Sequence, residues 1–341
     1  MKILILAVEI TPYFINSYKV AREAGNELYV LHYTSKDSAI EVERELDFIG
    51  IKHKNCFDLN LLKMIIILKK FNPDVLICAG WRIFSYMVLC WLTKSKRVLI
   101  TDSKWQATLK QKFAVKIRRL MIKPFFDYAF VPGSPQEVFM QKLGFSNEKI
   151  FKGLLAVSAP EFEKIPITQS ERALLYVGRL SPEKGVQRML EGYKIYRRIS
   201  HDPFQLWIAG NGELYSELPR IRGVRFLGYV PNSELPRLIQ KSRALVLLSH
   251  QEPWGVVIAE SVANSRPVIC SDSCGAGVDL IEDGTNGIVL KNPTPEDISR
   301  AFQEFESISR SKLEEMSAAN EKFAEIYSPN SWVSFLKKIS N

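Results

Sequence analysis

The chain alternates short, uninterrupted apolar runs with segments of helical periodicity, and it does so in two series. KILILAV (2–8), LYVLHY (28–33), DVLICA (74–79), RVLIT (97–101) and YAFVP (128–132) form the first. ALLYVG (173–178), FQLWIAG (204–210), VRFLG (224–228), ALVLLS (244–249), PVICSD (267–272) and GIVL (287–290) form the second. A strand that is apolar at consecutive positions buries both faces, as in a parallel sheet covered by helices on both sides. The pattern predicts an α/β protein, and its restart near residue 173 predicts two Rossmann-like domains rather than one large sheet. The stretch APEFEKIPITQSER (159–172) has two prolines and no periodicity and reads as the connection. This places a first domain at 1–168 and a second at 169–325. A closing helical pattern, 326–341, carries Trp332, Phe335 and Leu336 on one face and needs a surface to pack on.

Charge separates the two halves. Residues 1–165 hold 25 Lys and Arg against 16 Asp and Glu, a surplus of nine, while the remainder balances at 21 of each. All the excess positive charge therefore sits in the first domain and points to an anionic partner there: a membrane surface, a phosphate-bearing acceptor or nucleic acid. Five cysteines with no disulfide-scaffold spacing fit a reducing cytoplasm, and Cys270 and Cys274 have no second pair to complete a zinc site. The longest apolar stretches, around 64–68 and 83–92, fall short of the ~18 residues of a membrane span, and MKILILAV reads as a first strand rather than a signal peptide.

The residues that carry chemistry cluster at predicted strand ends of the second domain, where ligands of open α/β sheets collect. In LLYVGRLSPEKG (174–185), Gly178 ends a strand, and Arg179 and Lys184 offer a planar fork and a mobile point charge, a pairing suited to a diphosphate. AGNGEL (209–214) supplies Gly210 and Asn211 at a second strand end. FLGYVPNSEL (226–235) places Tyr229 and Val230 where main-chain groups can read a base edge, with Asn232 or Ser233 as helix cap. SHQEPWGVVIAESVANSRPVICSD (249–272) spaces Glu252 and Glu260 as E-x7-E, the first in a loop and the second inside a helix that Gly255 opens. Such a helix offers free N–H groups and a positive dipole end to a phosphate, and Glu260 can accept ribose hydroxyls. The carboxylates stand in different settings and are not a symmetric acid–base pair. Taken singly, each motif also reads as a solvated turn or an ordinary surface charge.

In this order, GRLSPEKG, AGNGE, FLGYVPNSEL, QEPWGVVIAE and CGAGVDLIEDGTNGIVL (274–290) resemble the retaining GT-B glycosyltransferases of family 4. The resemblance covers nearly all of 173–290. It implies two Rossmann-like domains facing across a cleft, a C-terminal helix returning to the first domain, and a nucleotide-sugar co-substrate, UDP- or GDP-linked. By resemblance, Arg179 and Lys184 bind the donor diphosphate and Glu260 the ribose. Glu252, with the backbone of Trp254, Gly255 and Val256, meets the transferred sugar, so that Glu252, Arg179 and Lys184 form the catalytic set. It further implies a glycan or polyprenyl-diphosphate-linked acceptor in bacterial surface-polysaccharide assembly. No DxD pair is present and no metal is expected; none of the four histidines makes a site by spacing.

The first half departs from that family. AVEITPYFINSYKV (7–20) has no glycine where members carry a glycine-rich loop, leaving Thr11 and Tyr13 as acceptor-side candidates. RVLITDSKWQ (97–106) offers Asp102 and Lys104 where relatives place a histidine; Asp102 reads equally as a cap for the following helix. Between 82 and 126 there are 11 basic residues and one acid. Within this stretch Trp105, Leu109, Phe113, Ile117 and Leu120 follow helical spacing among Lys104, Lys110, Lys112, Lys116, Arg118, Arg119 and Lys123. Such a stripe either packs in the core or lies on anionic lipid, making 104–123 a peripheral contact on the inner face of the membrane. Without stacking platforms or a recognised motif, nucleic acid is not the expected partner.

Overall fold

The consecutive apolar residues of the first series alternate between two cores. Ile3, Ile5 and Ala7 face one side of a sheet and Leu4 and Leu6 the other, all of them buried. The computed structural model describes residues 1–158 and 163–340, which divide into two units, Met1–Ala156 with Tyr327–Asn341, and Val157–Ile326.

The first unit holds strands β1 (Lys2–Ala7), β2 (Glu27–His32), β3 (Lys52–Asn55), β4 (Val75–Ala79), β5 (Lys96–Ile100), β6 (Tyr128–Val131) and β7 (Ile150–Lys152). They form one sheet in the order β3-β2-β1-β4-β5-β6-β7, each recorded pairing parallel. Helices α1 (Pro12–Glu23), α2 (Lys36–Phe48), α3 (Leu61–Phe71), α4 (Phe84–Leu92), α5 (Leu109–Met121) and α6 (Ser134–Lys142) connect them. The apolar runs account for five of these strands. The edge strands β3 (KHKN) and β7 (IFK) have none: β3 leaves both its lysines exposed, and β7 has only three residues, of which Ile150 alone is buried.

The second unit repeats the plan with β8 (Ala173–Val177), β9 (Gln205–Ala209), β10 (Val224–Gly228), β11 (Ala244–Leu247), β12 (Val268–Ser271) and β13 (Gly287–Leu290). Their order is β10-β9-β8-β11-β12-β13, again parallel. Helices α7 (Val186–Ile199), α8 (Leu235–Lys241), α9 (Val256–Ala263), α10 (Gly275–Leu280), α11 (Pro295–Ser307) and α12 (Arg310–Ile326) complete it. The chain then returns to the first unit as α13 (Asn330–Ser340), which packs on α1. Trp332 lies edge-on to Tyr18 at 5.4 Å and to Phe130 at 5.3 Å, and Phe335 stacks on Phe130 at 4.3 Å. The Trp332 indole N–H donates to the Leu154 carbonyl at 3.0 Å.

Local structure departs from the sequence reading in several places. Residues 163–168, assigned above to the first domain, are fastened to the second. The Ile165 amide donates to Gln240 Oε1 (3.0 Å), and its carbonyl accepts from buried Arg266 (2.6 Å). Residues 159–162 of the expected connection lie outside the described residues. Neither Asn232 nor Ser233 caps α8, whose N-cap is Glu234. The basic helix begins at Leu109 rather than near Lys104, because the Thr108 hydroxyl caps it by accepting from the Gln111 amide (3.3 Å). Trp105 therefore leaves the stripe and packs on Phe139 at 5.7 Å, with Lys142 over its ring. The stripe itself does not form core: Leu109, Phe113 and Leu120 are exposed, at 85%, 62% and 76%.

Candidate functional site

Each sheet changes direction once beside its first strand, between β1 and β4 and between β8 and β11. Loops leaving the carboxyl ends at such a point diverge to opposite sides and open a crevice. In the second unit these two loops carry Lys184 and Glu252.

Backbone contacts hold this end of the sheet together. The Gly178 amide donates to Ala209 O (3.0 Å), the Gly210 amide to Gly228 O (2.7 Å) and the Leu180 amide to Asn211 O (2.9 Å). Gly210 has φ +133°, and a Cβ there would overlap the Gly178 carbonyl oxygen, so the strand end admits no side chain. Gly178, Gly210 and Asn211 are thus adjacent. Tyr229, just after β10, projects with 70% of its surface exposed, while Val230 packs on the apolar cluster that includes Leu235 and Ile239.

After Arg179 the chain makes a single helical turn, Pro182–Lys184, closed by Gly185 at φ +67°. A Cβ on Gly185 would run into the Leu248 carbonyl oxygen at the end of β11, so the two loops lie backbone against backbone. The Glu183 carbonyl accepts from the His250 amide (2.8 Å) and the Gln251 amide (3.3 Å), and Arg188 donates to Leu248 O (3.1 Å). This docking brings the Lys184 ammonium onto the Glu252 carboxylate, with side chains only 16% and 10% exposed. In a site this dry, removing one partner strands the other's charge at a cost of about 3–5 kcal/mol.

Arg179 sits differently. It is 76% exposed and paired only at the surface, at 3.2 Å from Glu183; such pairs contribute about 0–1 kcal/mol and release easily. The Ser181 hydroxyl, ahead of backbone and Arg179, holds the Glu183 carboxyl below its usual range. Tyr176, the residue before Val177 at the end of β8, donates its hydroxyl to Arg179 O (2.7 Å), and burial pushes its phenol up. Sequence reasoning missed Tyr176, Glu183 and Arg188. Only Arg188, one helical turn beyond Lys184, could have been found from spacing.

The loop holding Glu252 continues into α9. Gly255 opens that helix at φ +91°, and Glu252 pairs through its backbone with Cys274. Trp254 turns its side chain into the core, 2% exposed, and its carbonyl accepts from the Ala276 amide (2.7 Å). Whatever Trp254 offers a ligand is therefore main chain. Glu260 is 8% exposed, which excludes the ordinary surface position that was its alternative. His250 is exposed, yet partial desolvation, followed by the Arg188 charge, lowers its imidazole below the ordinary value.

In the first unit the acceptor-side candidates follow β1 and β5. Thr11 precedes α1 as N-cap without a side-chain cap bond, and its buried Oγ1 has no hydrogen-bond partner among the described residues. Tyr13 is half-buried, and its carbonyl accepts from the Ser17 hydroxyl (3.0 Å). Asp102 is exposed and caps nothing, since Thr108 takes that role; its carbonyl accepts from Gln136 (3.0 Å). The Lys104 carbonyl accepts from Gln111 (2.7 Å). In place of glycine contacts, Tyr86 ties the strand ends by donating to Ala7 O (2.7 Å) and reaching Leu31 O (3.1 Å).

Residues 158–323 match the family described as glycosyl transferases group 1. The alpha-D-kanosaminyltransferase of Streptomyces kanamyceticus is 36% identical over 124 residues, 34% of this chain and 32% of that protein. The O-antigen chain mannosyltransferase B of Escherichia coli is 29% identical over 106 residues, 29% of this chain and 28% of that protein. The chain thus spans about a third of the length of these relatives. A crystal structure of Anabaena Alr3699/HepE in complex with UDP and glucose superposes with a TM-score of 0.77 at 14% identity, covering 100% of this chain and 99% of the other. The two parallel sheets with their helices are the GT-B fold.

Proposed function

We propose, from a second unit that matches the group 1 glycosyl transferases and a GT-B fold along the whole chain, that this protein is a retaining glycosyltransferase. It moves a sugar from a nucleoside diphosphate, UDP or GDP, to a hydroxyl of a glycan or lipid-linked glycan in bacterial surface-polysaccharide synthesis. One observation carries the reading: Lys184 and Glu252, from separate motifs, meet as a largely buried ion pair at the strand-order reversal of the second sheet.

Lys184, fixed by Glu252, keeps further N–H donors for a phosphate. Arg179, held only by its surface pair, swings onto the same diphosphate with a bidentate fork. The first amides of α9 add a positive dipole end. Together they stabilise the charge that grows on the departing diphosphate, without a divalent cation. Glu260 takes the ribose, Tyr229 and Val230 flank the base, Gly178, Gly210 and Asn211 let the ligand approach backbone, and Glu252 with the Trp254–Val256 backbone meets the sugar. Placing donor and acceptor together supplies much of the rate.

The acceptor side lies with Thr11, Tyr13, Asp102 and Lys104. No helix among the described residues is long and apolar enough to cross a membrane. On α5, however, Leu109, Phe113 and Leu120 stand exposed beside Lys110, Lys112 and Lys116. This pairing of apolar and cationic groups fits an anionic lipid surface, from which a polyprenyl-linked acceptor would be reached.

A thermal-shift screen of UDP- and GDP-sugars against the protein and Lys184→Ala tests the donor site. Stabilisation by one donor class, lost in the variant, is expected; no shift in either protein would falsify the reading. Incubation with donor alone separates transfer from epimerisation, since clean epimer formation in the absence of acceptor rules out transfer. A non-catalytic binding module would instead keep its cellular role in Glu252→Ala.

A further inference from the structure

Away from the second unit, β2, α2 and the edge strand β3 bring three metal-ligating side chains together. His32 ends β2, and His53 lies in β3 opposite Val30 in the parallel register, so both rings fall on one face of the sheet with centroids 5.8 Å apart. Glu43 comes from α2, its carboxylate 3.8 Å from His32 Nε2. One ligand atom from each of the three residues lies within 4.8 Å of the others.

The hydrogen bonds around the cluster leave it rich in lone pairs. His32 is fully buried and engages the Thr34 hydroxyl through Nδ1 at 3.0 Å, which leaves Nε2 facing Glu43. Asp47, one turn beyond Glu43 on α2, accepts from His53 Nε2 at 3.1 Å. A carboxylate accepts, so His53 donates from Nε2, and in the neutral imidazole that tautomer leaves the Nδ1 lone pair open to a metal. Both His32 Nε2 and His53 Nδ1 are buried without a hydrogen-bond partner among the described residues. Buried polar atoms are nearly always satisfied, and two such imidazole nitrogens beside a carboxylate are placed to hold a cation. A carboxylate behind a histidine is also the arrangement that orients an imidazole toward a metal.

We propose that His32, Glu43 and His53 form a binding site for a divalent transition-metal ion, zinc in the first instance. Two imidazoles and a carboxylate suit zinc and its neighbours rather than calcium or magnesium. Tetrahedral zinc with bonds of about 2.0–2.1 Å holds its ligands about 3.3 Å apart. Ligand atoms within 4.8 Å of one another would draw together by up to about 1.5 Å on binding. Three protein ligands leave a fourth position for water. The ion would clip the four-residue strand β3 and helix α2 to β2, fastening a sheet edge that has no apolar run of its own. This site stands in the first unit and does not depend on the glycosyltransferase reading.

The test uses the full chain stripped with a chelator, then titrated with Zn2+ in competition with a chromophoric chelator and with Co2+ for its visible absorption. One equivalent is expected, with low-coordinate Co2+ colour and a rise in melting temperature. His53→Gln and Glu43→Gln should each weaken binding at least tenfold and lose the rise. Glu43 is one-third exposed, so its variant tests the site without burdening the fold. Absence of stoichiometric binding, or binding of equal strength in both variants, overturns the proposal.

Discussion

The two units share a plan and differ in how they finish the carboxyl ends of their strands. In the second, main chain meets main chain: Gly185 lies against the Leu248 carbonyl, and Gly210 against that of Gly178. In the first, a side chain does the joining, with Tyr86 reaching the carbonyls of Ala7 and Leu31. Contact between backbones excludes a Cβ and therefore writes glycine into the sequence at fixed intervals. Contact through a side chain leaves no such constraint, and the loops around Thr11 and Asp102 carry none. The charge distribution follows the same division, with a neutral second half built round a buried pair and a basic first half whose cations are largely exposed.

The largest effect is expected from Lys184→Ala. Taking the ammonium away from Glu252 in a nearly dry site should cost up to about 3–5 kcal/mol of stability by urea unfolding. Donor-induced stabilisation should vanish with it. Glu252→Ala with Lys184→Ala should recover part of that loss in a double-mutant cycle, and strict additivity would mean the pair is not coupled. Gly210→Ala comes next, at about 3 kcal/mol or more, since it combines an unfavourable φ with a backbone overlap. Gly25→Ala in the first unit is its control. Gly25 has φ +87° with nothing within 4 Å of the added methyl, so only about 1 kcal/mol of conformational cost is expected. Equal losses at the two glycines would show that crowding at the second strand end is not what selects glycine there.

The smallest effect on the fold belongs to α5. Leu109, Phe113 and Leu120 replaced by serine should change stability by no more than about 0.5 kcal/mol each, because the native chain exposes them. The same variant should lose co-sedimentation with vesicles rich in anionic lipid, and the wild type should lose it as salt rises. Retention of full binding by the triple variant would remove α5 as the contact.

What was legible in the sequence follows from the same physics. Central strands announce themselves because both faces are buried, whereas β3 and β7 at the sheet edges were invisible. The glycines of the proposed donor site stood out because close backbone packing at Gly185 and Gly210 selects that residue. Tyr176 and Glu183 were not, since a tyrosine in an apolar strand looks like core whether or not its hydroxyl meets a carbonyl, and Glu183 acts through its main-chain carbonyl, which any residue supplies. The helix at α5 was found, but its exposure could not be read, because an apolar stripe has the same period whether it faces core or solvent. The cluster of His32, Glu43 and His53 joins two strands and a helix, and no spacing along the chain encodes their meeting.

The return of α13 to the first unit sets an order of events during synthesis. The first sheet is complete by residue 152, but the rings of Trp332 and Phe335 that cover Phe130 are translated only after the whole of Val157–Ile326. At the usual pace of synthesis that interval is roughly 10–30 s. During it the second unit, continuous in sequence, can fold to completion while the first waits with Phe130, Tyr18 and Phe14 uncovered. A nascent chain arrested before Trp332 should therefore present a chaperone-binding surface on its earlier-made half, and one arrested after Ile339 should not.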